Sequence, residues 1–465
     1  MTDHVSLSTP SRSRPASMRT EARAMVVLAA PLSAAFLAQM AIGVTDIVMM
    51  GWLGPTSLAS GTLASNYLHL LFYFGMGLGT AVAPMIAQSL GSRRIRDIRP
   101  TTQAGLAIVL VLSVPFGIAA WFGGDILLLL GLDPLIVANS QTYLRTALWY
   151  LPPALVFIVL RNVAAAHSRP RSPLVIVVAA TFLNAFANWV LMFGNLGAPR
   201  LELAGAGIAT SLSAWFMALA MLGFMLVDRR FRRYRFLARF SGLERRHVKD
   251  MMVIGTPIGL MILAEMGMFS VTTFLAGRIN ADTLAAIAIA MQTSGLGFIV
   301  PYGLAQAATV RVGLAAGRGD PLAIRRAAWT ALALGGVWIV GSSSFIWFGR
   351  ELIIDGFLDL GDPDVLSLIP IAMGLLAITA VFQVFDTTQA VAAGILRGMK
   401  DTRTPMVYAM IGYWIVGIPV ATYLGLFTDL EGNGIWWGMT AGLAATTLLM
   451  TGRVVRRMRL SSRTG

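Results

Sequence analysis

The 465-residue chain has no cysteine, so it holds no disulfide framework, no thiolate metal site and no cysteine nucleophile. Charge is scarce as well. Asp, Glu, Lys and Arg make up 12% of the chain, about half the share of a soluble domain, while 56% is hydrophobic and the mean hydropathy is +0.72. Histidine occurs at only four positions, His4, His69, His167 and His247, and His69 alone falls inside an apolar run. A lone histidine in such a run is more often packed or hydrogen-bonded than catalytic. No G-x-x-x-x-G-K-[ST] loop occurs, which removes the phosphate cradle of a P-loop ATPase.

What the chain has in quantity is apolar sequence. Runs long enough to cross a ~30 Å hydrocarbon core, about 20 residues each, lie near 25–50, 57–90, 102–122, 139–166, 173–194, 204–227, 251–277, 283–316, 325–348, 366–396, 405–426 and 434–452. The predicted fold is therefore an all-α integral membrane protein with twelve transmembrane helices. No cleavable signal peptide is expected, because the basic leader with Arg12, Arg14, Arg19 and Arg23 runs straight into a full span.

The formal net charge of +14 is distributed by topology. Arg93, Arg94, Arg96 and Arg99 follow the second span, and Arg161, Arg169 and Arg171 lie around the end of the fourth. Arg229 to Lys249 fill the loop after the sixth, Arg318, Arg325 and Arg326 follow the eighth, and Arg397, Lys400 and Arg403 follow the tenth. The tail ends the series with Arg453, Arg456, Arg457, Arg459 and Arg463. The alternate loops are poor in Lys and Arg, so both termini are expected on the cytoplasmic side of the membrane. This topology accounts for the basic segment FRRYRFLARF without nucleic acid, although its spacing also suits a helix lying on a membrane surface.

The chain repeats itself. A shift of 226 residues places Pro31 on Pro257, Leu37 on Leu263, Met40 on Met266, Gly51 on Gly277, Gly77 on Gly303 and Gly91 on Gly317. Later spans align with a slightly different shift, Arg171-Ser172-Pro173 falling on Arg403-Thr404-Pro405. The expected organisation is a basic leader (1–24), a six-helix bundle (25–227), a basic cytoplasmic linker (228–250), a second six-helix bundle (251–452) and a basic tail (453–465). Six spans return the chain to the same side, so the two bundles are pseudo-symmetric about an axis along the membrane normal, with a central cavity between them. Pro31 and Pro257, early in the first span of each half, suggest local kinks.

Three carboxylates stand alone in apolar runs: Asp46 in PLSAAFLAQMAIGVTDIVMM, Glu265 in PIGLMILAEMGMF and Asp386 in LLAITAVFQVFDTTQAVAAGIL. Each costs several kcal/mol in hydrocarbon, by order of magnitude, and no base lies in the same run to neutralise it. Such acids face a cavity and bind a proton, a metal cation or a cationic substrate. Asn184 and Asn188 are four apart and share a helix face. They supply either carbonyl oxygens to a cation or hydrogen bonds between helices. Gln39 takes the repeat position of Glu265, and Gln383 lies one turn before Asp386. Met266, Phe269 and their neighbours offer thioether and aromatic faces to a cationic ligand, or simply pack.

The run LRGMKDTRTPMVYAMIGYWIVGIPVATYLG (396–425) resembles the signature of the multidrug and toxic compound extrusion (MATE) family, through Pro405, Tyr413, Trp414, Gly417 and Pro419 in order. Pro31, Gln39, Asp46, Gly51 and the segment APMIAQSLGSRR (83–94) agree, and the resemblance covers about residues 24–455. Glu265 together with Asp386 is similar to the NorM-type branch. The resemblance implies antiport of bulky, mostly cationic drugs and organic cations against Na+ or H+, with no other cofactor and with a monomer in the lipid. Carried over, Glu265 and Asp386 form the cation-coupling site, which would also be the metal site if Na+ is the ion. Asp46 belongs to a second polar pocket with Asn184, Asn188 and Thr210. The sequence departs where the family often has tyrosine one turn before the span-ten acid: Phe382 stands there, and its ring attracts a cation but offers no ligating oxygen. Two alternatives stay open. A flippase for a lipid-linked saccharide would need cationic side chains in its cavity, and the sequence places its Arg and Lys at span ends. A polytopic membrane enzyme would need a metal cluster or a paired nucleophile and base, and no such motif is seen.

Overall fold

In a computed structural model, residues 17–236, 244–358 and 366–461 are described, and these contain helices and no strand. Expectations that involve residues 1–16, 237–243, 359–365 and 462–465, among them Arg12, Arg14, Arg239 and Arg463, lie outside the described residues. Eleven long apolar helices run in order: α1 Met18–Trp52, α2 Pro55–Gly91, α3 Ile95–Trp121, α4 Pro134–Ala166, α5 Arg171–Phe193, α6 Glu202–Val227, α7 Arg245–Gly277, α8 Ala281–Gly317, α9 Pro321–Phe348, α10 Leu368–Gly398 and α11 Arg403–Leu426. The twelfth, α12 Glu431–Ser461, is richer in Gly and Thr. It is sheltered because Ile435, Met439, Leu443, Met450 and Val454 form a buried stripe at helical spacing against α10 and α11.

Helix starts follow local chemistry. The Asn280 side chain accepts from the Thr283 amide at 2.7 Å, and Asp320 caps α9 by accepting from Ala323 at 2.9 Å just before Pro321. Helices α1 and α7 continue through Pro31 and Pro257. In α11, Ile411–Gly417 winds as a π-helix ahead of Pro419, which accommodates a proline that an α-helix interior would not. Gly412 and Gly442 bring α11 and α12 into backbone contact there: a Cβ on Gly412 would stand 2.7 Å from the Gly442 carbonyl oxygen.

Two cores form, one centred on α2–α6 and one on α8–α12, and the first helix of each half crosses between them. Met25, Leu28 and Leu32 of α1 pack in the second core. Met251, Ile254 and Ile258 of α7, the positions 226 residues on, pack in the first. The glycines matched by the repeat sit on this seam. A Cβ on Gly77 would lie 2.2 Å from the Gly259 Cα, and one on Gly303 would lie 2.7 Å from the Ala29 carbonyl oxygen and close against Ser33, the repeat partner of Gly259. Gly91 approaches the Leu314 carbonyl oxygen of α8, and Gly317 that of Gln88. Small residues let the helix backbones meet without a hydrophobic driving force.

All these contacts lie in the basic halves of α1, α2, α7 and α8. Polar links reinforce them. Arg311 of α8 forks onto Glu21 of α1, with Nε to Oε1 at 2.7 Å and a second bond from Nη2 to Oε2, and Gln88 donates to the Gly398 carbonyl at 2.9 Å. Toward the opposite side the seam reaches the stacked rings of Phe36 and Tyr302, 4.3 Å apart, and then Met40 beside Gly295. The cleft between the bundles is therefore closed on the basic side.

Candidate functional site

Each bundle holds one acidic site. In the first, Asp46 of α1 is buried and meets two helices that packing brings beside it. Asn188 of α5 donates to Asp46 Oδ1 at 2.6 Å, and the Thr210 hydroxyl of α6 lies 3.1 Å from Oδ2. The other Asn188 N–H goes to Asn184 Oδ1 at 3.2 Å, as the four-residue spacing requires. The buried Asn188 Oδ1 and Asn184 Nδ2 have no partner of their own. Gln39, Asp46 and Thr210 line a cavity with Ser65, His69 and Tyr143. Its polar lining shows where a ligand could exchange hydrogen bonds with the acid.

In the second bundle, Glu265 of α7 and Asp386 of α10 come within electrostatic reach of one another, and the buried Tyr413 lies within reach of both. The Tyr413 hydroxyl accepts from Gln389 at 2.8 Å. Trp414 donates to the Ala264 carbonyl at 3.2 Å and so pins α11 to the turn of α7 that carries Glu265. The Tyr-Trp pair of the signature thus lies beside the acids. Phe382 is buried against Phe269 and Trp436, with centroids 6.3 and 5.5 Å away. Gln383 bonds Thr387 at 3.2 Å, fills the space left by Gly297 and keeps a buried Oε1 without a partner. Met266 and Phe269 are part-exposed on α7 beside Glu265. No group of three or more His, Asp or Glu side chains able to hold a metal occurs among the described residues. A cation here would draw on two carboxylates, the Tyr413 hydroxyl and amide oxygens, a set of hard donors.

One expectation is corrected. Arg161 does not lie at a span end with Arg169 and Arg171. Helix α4 ends at Ala166, where the apolar run also ends, and Arg161 lies inside it, 4% exposed between the bundles. It donates to Gln39 Oε1 of α1 and to the Tyr302 hydroxyl of α8, both at 3.0 Å. Arg311 is likewise inside α8, and the half-buried Arg397 of α10 is close enough to act on Glu265. The argument against a flippase that rested on a cation-free interior therefore lapses. The signal for Arg161 was present: it interrupts the apolar run PPALVFIVLRNVAAA well before its end. Tyr302 and Tyr413 carried no such mark, because only the fold brings a phenol to a charge.

The chain matches the MatE family profile over residues 31–190 and 257–423. It is 43% identical over 447 residues to the "Probable multidrug resistance protein NorM" of Mesorhizobium japonicum, covering 95% of each chain. It is 40% identical over 441 residues to the Brucella suis protein of the same name, covering 94% of each. Its fold is similar to a solved "outward-facing conformation of a multidrug resistance MATE family transporter", with TM-score 0.85, 19% identity and coverage of 95% of this chain and 96% of that one.

Proposed function

The chain belongs to the MatE family of multi-pass membrane transporters, and on that premise we propose that it is a secondary-active multidrug exporter in a bacterial inner membrane. Cationic amphipathic compounds would leave by antiport against Na+ or H+. The observation that carries this reading is the pair of intramembrane acid sites, one per bundle, without a Lys or Arg within ion-pair distance of Asp46, Glu265 or Asp386 among the described residues. A carboxylate in this setting binds either a proton or a cation, and the two compete.

With the basic side assigned to the cytoplasm, the closed seam makes this an outward-facing state. An ion taken onto Glu265 and Asp386 from outside would favour the turn to the state open to the cytoplasm. Drug entering from the cytoplasm or inner leaflet would favour the opposite motion. Each ligand shifts the equilibrium only by its preference for one of the two states. The bundles suit such rocking because their seam joins glycine contacts and a few polar links to the crossing halves of α1 and α7 alone.

The test is purified monomer in vesicles, loaded with a fluorescent organic cation, under Na+ and H+ gradients imposed separately. Gradient-driven movement of the dye identifies both the activity and the ion. Movement under neither gradient, in protein that still binds the dye, refutes antiport.

A further inference from the structure

Arg161 is a buried cation inside α4, toward its basic-side end, with no carboxylate within ion-pair distance among the described residues. An uncompensated buried charge is costly, and structures keep one where it meets an anion or serves a function. Its two bonds go to neutral acceptors, the Gln39 amide and the Tyr302 phenol, both part-exposed at the floor of the cleft. The surrounding side chains are rich in donors. Gln306 Nε2 also points at the Tyr302 oxygen, at 3.3 Å, and Asn162 lines the same small cavity. The phenol oxygen therefore receives two donors while the guanidinium keeps N–H groups to spare.

Gln39 links this floor to the acidic pocket. It lines the same cavity as Asp46, seven residues further along α1. Seven residues are two turns on one helix face, about 10 Å. Arg161 itself lines a separate small cavity with Asn162, Tyr302 and Gln306, so the Gln39 side chain, which accepts from Arg161, stands between the guanidinium and the pocket of Asp46.

We propose that Arg161 binds the carboxylate of zwitterionic substrates, whose cationic end lies toward Asp46. The proposal rests on the exporter reading and narrows it: the first bundle selects compounds carrying both charges. An ionised carboxylate is a stronger acceptor for a guanidinium fork than an amide or a phenol, so it displaces Gln39 or Tyr302 from Arg161. Tyr302 then loses its hold on α4, and substrate occupancy is felt at the seam.

The test uses a xanthene dye with a free carboxylate and its methyl ester, which keeps the cation and loses the anion. Equilibrium binding to purified protein should weaken roughly tenfold or more for the acid dye in Arg161→Gln, with the ester unchanged. Arg161→Lys should fall between, because it keeps the charge without the fork. Tyr302→Phe removes a competing acceptor and should leave acid-dye binding intact or tighter. If Tyr302→Phe loses acid-dye binding as Arg161→Gln does, Arg161 is only an interbundle tie and the proposal is wrong. It is equally wrong if Arg161→Gln weakens both dyes alike or neither. In wild-type protein, which needs no variant to fold, benzoate should compete with the acid dye and spare the ester; competition with both or with neither overturns the proposal. A wild type that binds the ester but not the acid dye refutes this inference and spares the exporter reading. One that binds neither refutes both.

Discussion

Replacing Gly77 with Ala should shift the protein toward the state open to the cytoplasm. The new Cβ would stand 2.2 Å from the Gly259 Cα and 2.3 Å from its amide nitrogen, both backbone atoms that no rotamer change can move. Ordinary carbon–carbon contact needs about 3.5–4.0 Å, so α2 and α7 must separate by roughly 1.3–1.8 Å. Overpacking of this kind costs about 1–3 kcal/mol, which corresponds to a change of roughly 5- to 150-fold in a two-state equilibrium. The cost arises only where the seam is closed. The alanine's helix-propensity gain of about 1 kcal/mol is common to both states and cancels. Because the chain lacks cysteine, spin labels on Ser92→Cys and Leu322→Cys, exposed at the basic ends of α2 and α9, report the separation without background. A longer-distance population should grow in Gly77→Ala. Gly277→Ala, where no atom lies within 4 Å of the new Cβ, is the control. If the distances stay unchanged, or Gly277→Ala moves them as much, the close-contact argument fails.

Four further outcomes are expected. The pair Glu265→Gln with Asp386→Asn should abolish drug export at near-normal abundance, since it removes intramembrane charge at almost constant volume; undiminished drug resistance in cells would remove these acids from the mechanism. Asp401, between α10 and α11, accepts from Arg453 at 2.8 Å and Arg457 at 2.9 Å. Burial raises its pKa, but the bonds from Arg457, Arg453 and Thr404 win and hold it below the ordinary 3.8. Its contribution is therefore full above pH 3.8 and lost as pH falls through the lower folded value, and Asp401→Asn should cost about 1–2 kcal/mol in denaturant titrations at neutral pH. His167, just past α4, bonds Val163 O at 2.8 Å and the Tyr234 hydroxyl at 3.1 Å, docking the 228–236 segment. Burial lowers its pKa below 6.5, helped by the charges of Arg233 and Arg230 although the Val163 bond opposes them, so docking should persist through neutral pH and loosen only as pH falls below the ordinary range; hydrogen exchange in 228–236 that is flat down to pH 4 would contradict this. Finally, an impermeant thiol reagent should label Thr428→Cys in intact cells but Ser92→Cys only in broken ones, and the reverse pattern would invert the topology.

The repeat made the fold legible, and the structure shows why its most informative letters were glycines. Leucine and alanine recur in any apolar helix, whereas Gly77 with Gly303 and Gly91 with Gly317 answer to one geometric demand, backbone contact across the seam. The pocket around Asp46 was legible because Asn184, Asn188 and Thr210 are polar residues in apolar helices, and α1, α5 and α6 pack together. Arg161 groups with Arg169 and Arg171 in the sequence because all three are basic and near the end of the 139–166 run, whereas the fold turns its side chain inward to Gln39 and Tyr302. The aromatics of FRRYRF gave a different misdirection. Their alternation with arginine suits a membrane-surface helix, yet Phe231, Tyr234 and Phe236 are buried in the core of the first bundle and the intervening arginines are exposed. Amphipathic spacing identifies a face that must be covered, not what covers it.

The two halves share a scaffold and differ in chemistry. At one repeat position stand Gln39 and Glu265, each approached by an arginine from the fourth helix of its own half. Arg161 meets an amide that cannot titrate. Arg397 acts on a carboxylate that can. In the antiport proposed above, ion would meet the acid pair of the second bundle and substrate the pocket of Asp46 in the first, different sites on bodies that move together. Occupancy of one must then alter affinity at the other by the same factor in each direction. On that proposal the matched seam contacts would allow the motion, and the Gln-for-Glu exchange between Gln39 and Glu265 would supply the asymmetry between the two sites.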